Sequence, residues 1–139
     1  MNLHRISQDY KKYQDRTEDL DKELIKNQTE AKGMNFFRWL NNVRPYGKWD
    51  YKNNEGFKKE YGKKFIYAGY VLTPEDFGNI NFGLAGKMRG SSLETLEAGA
   101  GVLSFITHGV RYPIGTFFDD PKDQYWIEYG YKREFHTGG

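Results

Sequence analysis

The stretch TPEDFGNINFGLAGKMR, from Thr73 to Arg89, decides how this chain is read. Thr73 is a helix-capping residue type, Pro74 suits the first helical position because its missing N–H is not needed there, and Asp76 is an acid at the third position. A helix is therefore predicted from Pro74 to about Arg89. Its interior carries Gly78, Gly83 and Gly86, each costing up to about 1 kcal/mol relative to alanine in an exposed helix. Close approach of another backbone is the expected compensation. Toward the C-terminus, Ser91-Ser92-Leu93-Glu94 repeats the capping signature and predicts a helix from Ser92 to about His108, again with glycines, Gly99 and Gly101. The expectation is a tight helical hairpin in which Ala85 and Gly86 face Ala98 to Gly101. Asp119-Asp120-Pro121-Lys122-Asp123 is a third helix start, with Asp120 as capping acceptor, and predicts a last helix from Pro121 to about Phe135.

Toward the N-terminus, FIYAGYVL (Phe65 to Leu72) is aromatic and partly β-branched, which predicts a short strand or hairpin arm. The basic cluster Lys58, Lys59, Lys63 and Lys64 reads as a solvated face, and Pro45 to Gly56 reads as a loop containing Trp49, Asp50, Tyr51 and Lys52. Met34 to Arg44 predicts a second, buried helix, with Phe36, Phe37, Leu40 and Val43 able to share a face. Leu3, Ile6, Tyr10, Tyr13, Thr17, Leu20 and Leu24 alternate spacings of three and four, which predicts a long helix over about residues 2 to 31. Its other faces, Glu23 included, read as solvated. The fold class expected is mainly α, with at most a small sheet near residues 65 to 73. Residues 1–32 are expected to form an amphipathic helix for delivery or packing, and 33–139 a compact helical domain.

The 139 residues include no cysteine, which excludes disulfides and thiolate metal sites. No cleavable signal pattern and no apolar run of roughly 20 residues appears, so export is expected to need a machine or carrier. With 21 basic and 19 acidic residues the net charge is +2, and nothing electrostatic calls for a polyanion as partner. Aromatic residues make up 17% of a chain whose mean hydropathy is −0.87. Eleven tyrosines explain how both hold, because a tyrosine ring buries area while its hydroxyl stays wet.

Of three histidines, His4 and His136 lie toward the ends, and His108 sits at the C-terminus expected for a helix, where the dipole favours it. No metal-ligand spacing such as H-E-x-x-H occurs. Carboxylates are the better candidates for chemistry. Asp50 stands beside Trp49, which could desolvate it and raise its pKa toward that of a general acid. Asp76 and Asp120 open two of the helices.

Three blocks occur in order: Gly47-Lys48-Trp49-Asp50-Tyr51-Lys52; Asp76-Phe77-Gly78-Asn79-Ile80-Asn81-Phe82-Gly83; and Asp119-Asp120-Pro121-Lys122-Asp123-Gln124, followed by Ile127 and Gly130. Together they resemble the type 44 toxin domain of bacterial polymorphic toxin systems, over about Met34 to Tyr131. The resemblance implies a secreted toxin made beside a neutralising immunity protein. Relatives carry histidine in the asparagine block where this sequence has Asn81, so no imidazole is expected there.

Each block contains aspartate, and the blocks would converge if the loop and two helix starts surround one cleft. The expected catalytic residues are Asp50, Asp76 and Asp120, with Trp49, Lys52, Asn79 and Asn81 binding substrate and no metal or other cofactor. Such a cleft suits a glycan. The expected activity is hydrolysis of peptidoglycan strands, one carboxylic acid protonating the leaving oxygen and a second carboxylate activating water or attacking the sugar. The expected place of action is the target-cell periplasm. The first alternative is a nuclease, with the same carboxylates on a divalent metal, Lys52 on the phosphate, and action in the cytoplasm. The second is a non-enzymatic helical module.

Overall fold

A computed structural model describes residues 12–98 and 121–135. Among them the fold is mainly α: α1 (Thr17–Ala31), α2 (Phe36–Val43), a single 3-10 turn (Tyr51–Asn53), α3 (Glu55–Tyr61), the strands β1 (Phe65–Tyr67) and β2 (Tyr70–Leu72), α4 (Pro74–Met88) and α5 (Pro121–Lys132). Residues 93–98 are also helical. Among the described residues no helix is long and apolar enough to cross a membrane.

Helix α4 forms as its sequence predicts. Thr73 Oγ1 accepts from Asp76 N at 3.2 Å while Asp76 Oδ2 accepts from Thr73 N at 3.0 Å, a reciprocal cap. Its glycines are offset as expected, but by a different partner. A Cβ on Gly83 would collide with the backbone carbonyl of Ile127, and one on Gly130 would collide with that of Ile80. The two helices therefore meet backbone to backbone, each supplying the glycine that admits the other. Asp76 pairs with Lys122, Asn79 with Asp123 and Lys87 with Glu134, so α4 and α5 run in the same direction.

Gly86 does meet the next helix, but not at Ala98. Gly86 faces the side chain of Leu96, which is 1% exposed, whereas Ala98 is exposed; Gly99 to Gly101 lie outside the described residues.

The long N-terminal helix is present with a later start than predicted, residues 2–11 of the prediction lying outside the described residues. It starts at Thr17, because the preceding backbone is extended: Ile66 N donates to Gln14 O at 2.9 Å and Arg16 N to Ile66 O at 2.8 Å. Residues 14–16 thus border β1 as a parallel bridge, a pairing no local periodicity reveals. Asp15 Oδ1 accepts from Thr17 N at 3.0 Å and serves the new helix start. From there Leu20, Leu24 and Ala31 are fully buried in the common core with Phe65, Tyr67, Phe77, Ile80, Leu84 and Trp126.

Helix α3 forms where the sequence predicts a loop and a solvated face. Its start is an Asn54 cap, whose Oδ1 accepts from Phe57 N at 2.9 Å, and its stop is Gly62 at φ +81°. Phe57 anchors it, stacked 5.5 Å from Phe77. The strands pair antiparallel in the register Phe65↔Leu72, Ile66↔Val71 and Tyr67↔Tyr70. Their two-residue turn has positive φ at both Ala68 (51°) and Gly69 (86°), the turn whose twist matches a hairpin.

Gly83→Ala and Gly130→Ala are each expected to destabilise the protein by about 2 to 3 kcal/mol in urea unfolding, since overpacking outweighs the gain in helix propensity. Gly56→Ala in α3, where a Cβ would meet Asn54 Oδ1 at 3.4 Å, should change stability by less than about 1 kcal/mol.

Candidate functional site

The loop after α2 is a rigid turn. Gly47 crosses the C-terminal end of α2 so closely that a Cβ would lie 2.5 Å from Asn42 O and 2.6 Å from Asn41 O. Trp49 N then donates to Asn42 O at 2.8 Å, and Tyr46 is held at φ 63°. Asp50 closes this turn with one oxygen. Its Oδ2 accepts from Tyr46 N at 2.8 Å and from Asn53 Nδ2 at 2.6 Å, whereas Oδ1 has no hydrogen-bond partner among the described residues. The side chain is half-buried. Asp50 is thus a carboxylate fixed through one oxygen. Trp49 is buried beneath, and Lys48, which lies over its ring at 5.9 Å, forms an ion pair with Glu30.

Tyr51 carries this block onto α4. Its ring packs 4.9 Å from Phe77 and 4.8 Å from Phe57. Its hydroxyl accepts from Asn27 Nδ2 at 2.7 Å and donates to Glu23 Oε2 at 2.7 Å, while Asn27 Nδ2 also donates to Asn81 Oδ1 at 2.9 Å. Asn27 and Asn81 are at most 1% exposed, and Asn27 Oδ1 and Asn81 Nδ2 have no partner among the described residues. Burial, followed by the charge and hydrogen bond of Glu23, pushes the Tyr51 phenol well above its ordinary pKa. Burial and then Asp21, which accepts from Tyr67 Oη at 2.7 Å, do the same to Tyr67.

The first turns of α4 and α5 are joined to each other. Asp76, fully buried, pairs with Lys122 at 3.2 Å, and Asn79 Nδ2 donates to Asp123 Oδ1 at 2.8 Å. Elsewhere Glu97 is held above the usual carboxylate range, by burial first and then by Glu128 and Glu94.

All three sequence blocks therefore meet on α4, through Tyr51 on one side and through Lys122, Asp123, Ile127 and Gly130 on the other. Their carboxylates face different surroundings. Asp50 closes its own turn; Asp76 is enclosed as a cap and ion-pair partner; Asp120 lies outside the described residues, as do His4, His108 and His136. Of the expected substrate-binding residues, Lys52 is exposed, Asn79 is half-buried, and Trp49 and Asn81 lie beneath the surface. Among the described residues no three histidines, aspartates or glutamates gather as a metal-binding group.

Sequence reasoning missed Asn27 and placed Glu23 on a solvated face, although Glu23 is partly buried against Tyr51. A signal was present: the spacing Leu20, Leu24 continues to position 27, where an apolar residue is due and asparagine stands.

With this geometry in view, a family model described as bacterial toxin 44 matches residues 38–135, more than two thirds of the chain. Comparison with curated proteins and with solved structures found no match.

The raised phenol pKa values at Tyr51 and Tyr67 mean that the folded state favours their neutral forms. Their contribution is complete below about pH 10, where an unfolded tyrosine ionises, and is lost as pH rises above that. Phenolate absorbance should show these two ionising only as the protein unfolds in alkali, and Tyr51→Phe should remove one of them. That variant should also lose about 1 to 2 kcal/mol of stability, because Asn27 and Glu23 lose a buried partner.

Proposed function

Because the chain belongs to the bacterial toxin 44 family and is thus a bacterial toxin, we propose that it kills by hydrolysing the glycan strands of peptidoglycan. The observation that carries this reading is Asp50, half-buried and held through Oδ2 by a backbone N–H and the Asn53 amide, with no hydrogen-bond partner at Oδ1 among the described residues. Glycoside hydrolysis asks for two positioned carboxyl groups, one that gives a proton to the leaving oxygen as the sugar–oxygen bond breaks and one that takes a proton from the attacking water or attacks the sugar itself, and Asp50 is one member of that pair. Asp120 is the second carboxylate. The exposed Lys52 and the half-buried Asn79, whose amide also donates to Asp123, bind the substrate, while the buried Trp49 and Asn81 support the site from below. Asp76 serves by holding the start of α4 against α5 through Lys122.

The toxin acts in the target-cell periplasm, because the bond it cuts lies outside the inner membrane. It needs no cofactor for this chemistry. Its producer is protected by an immunity protein, and a secretion carrier takes it out of the cell.

Asp50→Asn is expected to abolish killing by a copy directed to the periplasm, and release of new reducing ends from purified peptidoglycan, while leaving stability within about 1 kcal/mol of the parent. Asp76→Asn should instead lose about 1 to 3 kcal/mol of stability, with activity falling in step. Killing from the cytoplasm with intact walls and degraded RNA or DNA would replace this reading with the metal-dependent nuclease.

A further inference from the structure

The part of the surface left unexplained is α2 and the turn after it. Phe36 is 51% exposed, Phe37 79% and Tyr46 80%, whereas the other large apolar side chains among the described residues are mostly enclosed. Single exposed apolar residues are ordinary, but adjacent phenylalanines on one short helix are not. They form an edge-to-face pair with centroids 5.8 Å apart. Between Glu30 and Asp50 the sequence holds Lys32, Arg38, Arg44 and Lys48 and no carboxylate, although acids and bases nearly balance in the whole chain. Lys48 is paired with Glu30. Lys32, Arg38 and Arg44 are exposed, and none has an ion-pair partner among the described residues.

This surface is also stiff. Asn35 caps α2 by accepting from Arg38 N at 2.9 Å, and Arg44 Nε donates to Asn41 Oδ1 at 3.0 Å. Beneath it, Trp39 is 5% exposed and packs 5.2 Å from Phe82. The Arg89 guanidinium lies 6.0 Å from the Phe36 ring and 5.5 Å from that of Trp39, while its Nη1 donates to Ser91 Oγ at 2.8 Å. An aromatic pair held in advance loses little freedom on binding, so more of its contact free energy appears as affinity.

We propose that α2 and the Pro45–Gly47 turn are the docking surface for an acidic protein that restrains this toxin, with Phe36 and Phe37 entering an apolar pocket rimmed by its carboxylates. Unpaired cations beside exposed aromatics require acidic complementarity. Aromatic residues and arginine are the types that concentrate binding energy in protein interfaces. A second copy docking through the same face would bring like charges together, which is costly. An eight-residue helix with Trp39 turned inward offers a membrane little apolar area.

The test uses the full chain and the purified immunity protein encoded beside it, with Kd and association rate followed by biolayer interferometry. Phe37→Ala and Arg38→Glu are each expected to weaken binding about tenfold or more. The parent's association rate should fall with added salt, and that dependence should shrink in Arg38→Glu. Both variants should keep the parent's melting temperature and toxicity while escaping neutralisation. Lys59→Glu, on the exposed side of α3, should bind normally. Unchanged Kd in both α2 variants overturns the proposal. So does Phe37-dependent binding to phosphatidylglycerol vesicles or to RNA without a matching loss of immunity-protein binding, or a dimer of the parent that Phe37→Ala dissolves. The Kd readout needs no catalysis, so failure of the hydrolase reading would leave this result interpretable.

Discussion

Two glycines facing opposite ways across one helix crossing govern the rest of this structure. Gly83 lets the backbone of α5 come against α4, and Gly130 lets α4 come against α5. At that separation the helices can run together, which brings their two N-terminal turns side by side. An N-terminal turn carries unpaired N–H groups and partial positive charge, so two of them together call for acids and acceptors. Asp76 and Asp123 meet that need, Asn79 donates to Asp123, and Lys122 neutralises the fully buried carboxylate of Asp76.

With one face of α4 committed to α5, its other faces organise what remains. Phe77 collects the aromatic cluster of Tyr51, Phe57 and Tyr67, which fastens the α2–α3 connection and the hairpin to the helix. Asn81 takes the remaining direction, toward α1. There an otherwise apolar seam contains Asn27, and the amides meet each other and the Tyr51 hydroxyl. A buried hydrogen-bonded network of this kind adds little net stability but penalises every other register strongly, because a misplaced amide would be left without a partner. It therefore positions the Trp49–Lys52 turn. The placement of Asp50 depends on α1 even though α1 lies before the residues that match the family.

The toxin thus separates its surfaces. The Asp50 turn is held from below by Tyr51 and along its length by backbone hydrogen bonds, which suits a group that must keep one carboxylate oxygen in place. The aromatic and cationic face of α2 adjoins that turn through Asn42, whose carbonyl receives Trp49 N. Through that bond, a partner seated on α2 would bear on the loop that carries Asp50.

Much was determined by sequence alone. The mainly helical class, the cap and length of α4, the start of α5 at Pro121, the short hairpin and the family were legible, because caps, proline positions and strand-forming runs act over a few residues. The need of the α4 glycines for a close neighbour was legible too. Which neighbour they meet was not, since α5 lies more than 30 residues away in sequence and only packing brings it there. The same limit explains α1 and Glu23. Periodicity could carry a helix past Thr17, but the ladder from Gln14 and Arg16 to Ile66 breaks it, and Glu23 looked solvated until Tyr51 arrived from another segment. Asp76 shows the boundary most clearly. Its capping role is written in Thr73-Pro74-Glu75-Asp76, whereas its complete burial beside Lys122 follows from the crossing at Gly83 and Gly130, a contact between surfaces that no local pattern records.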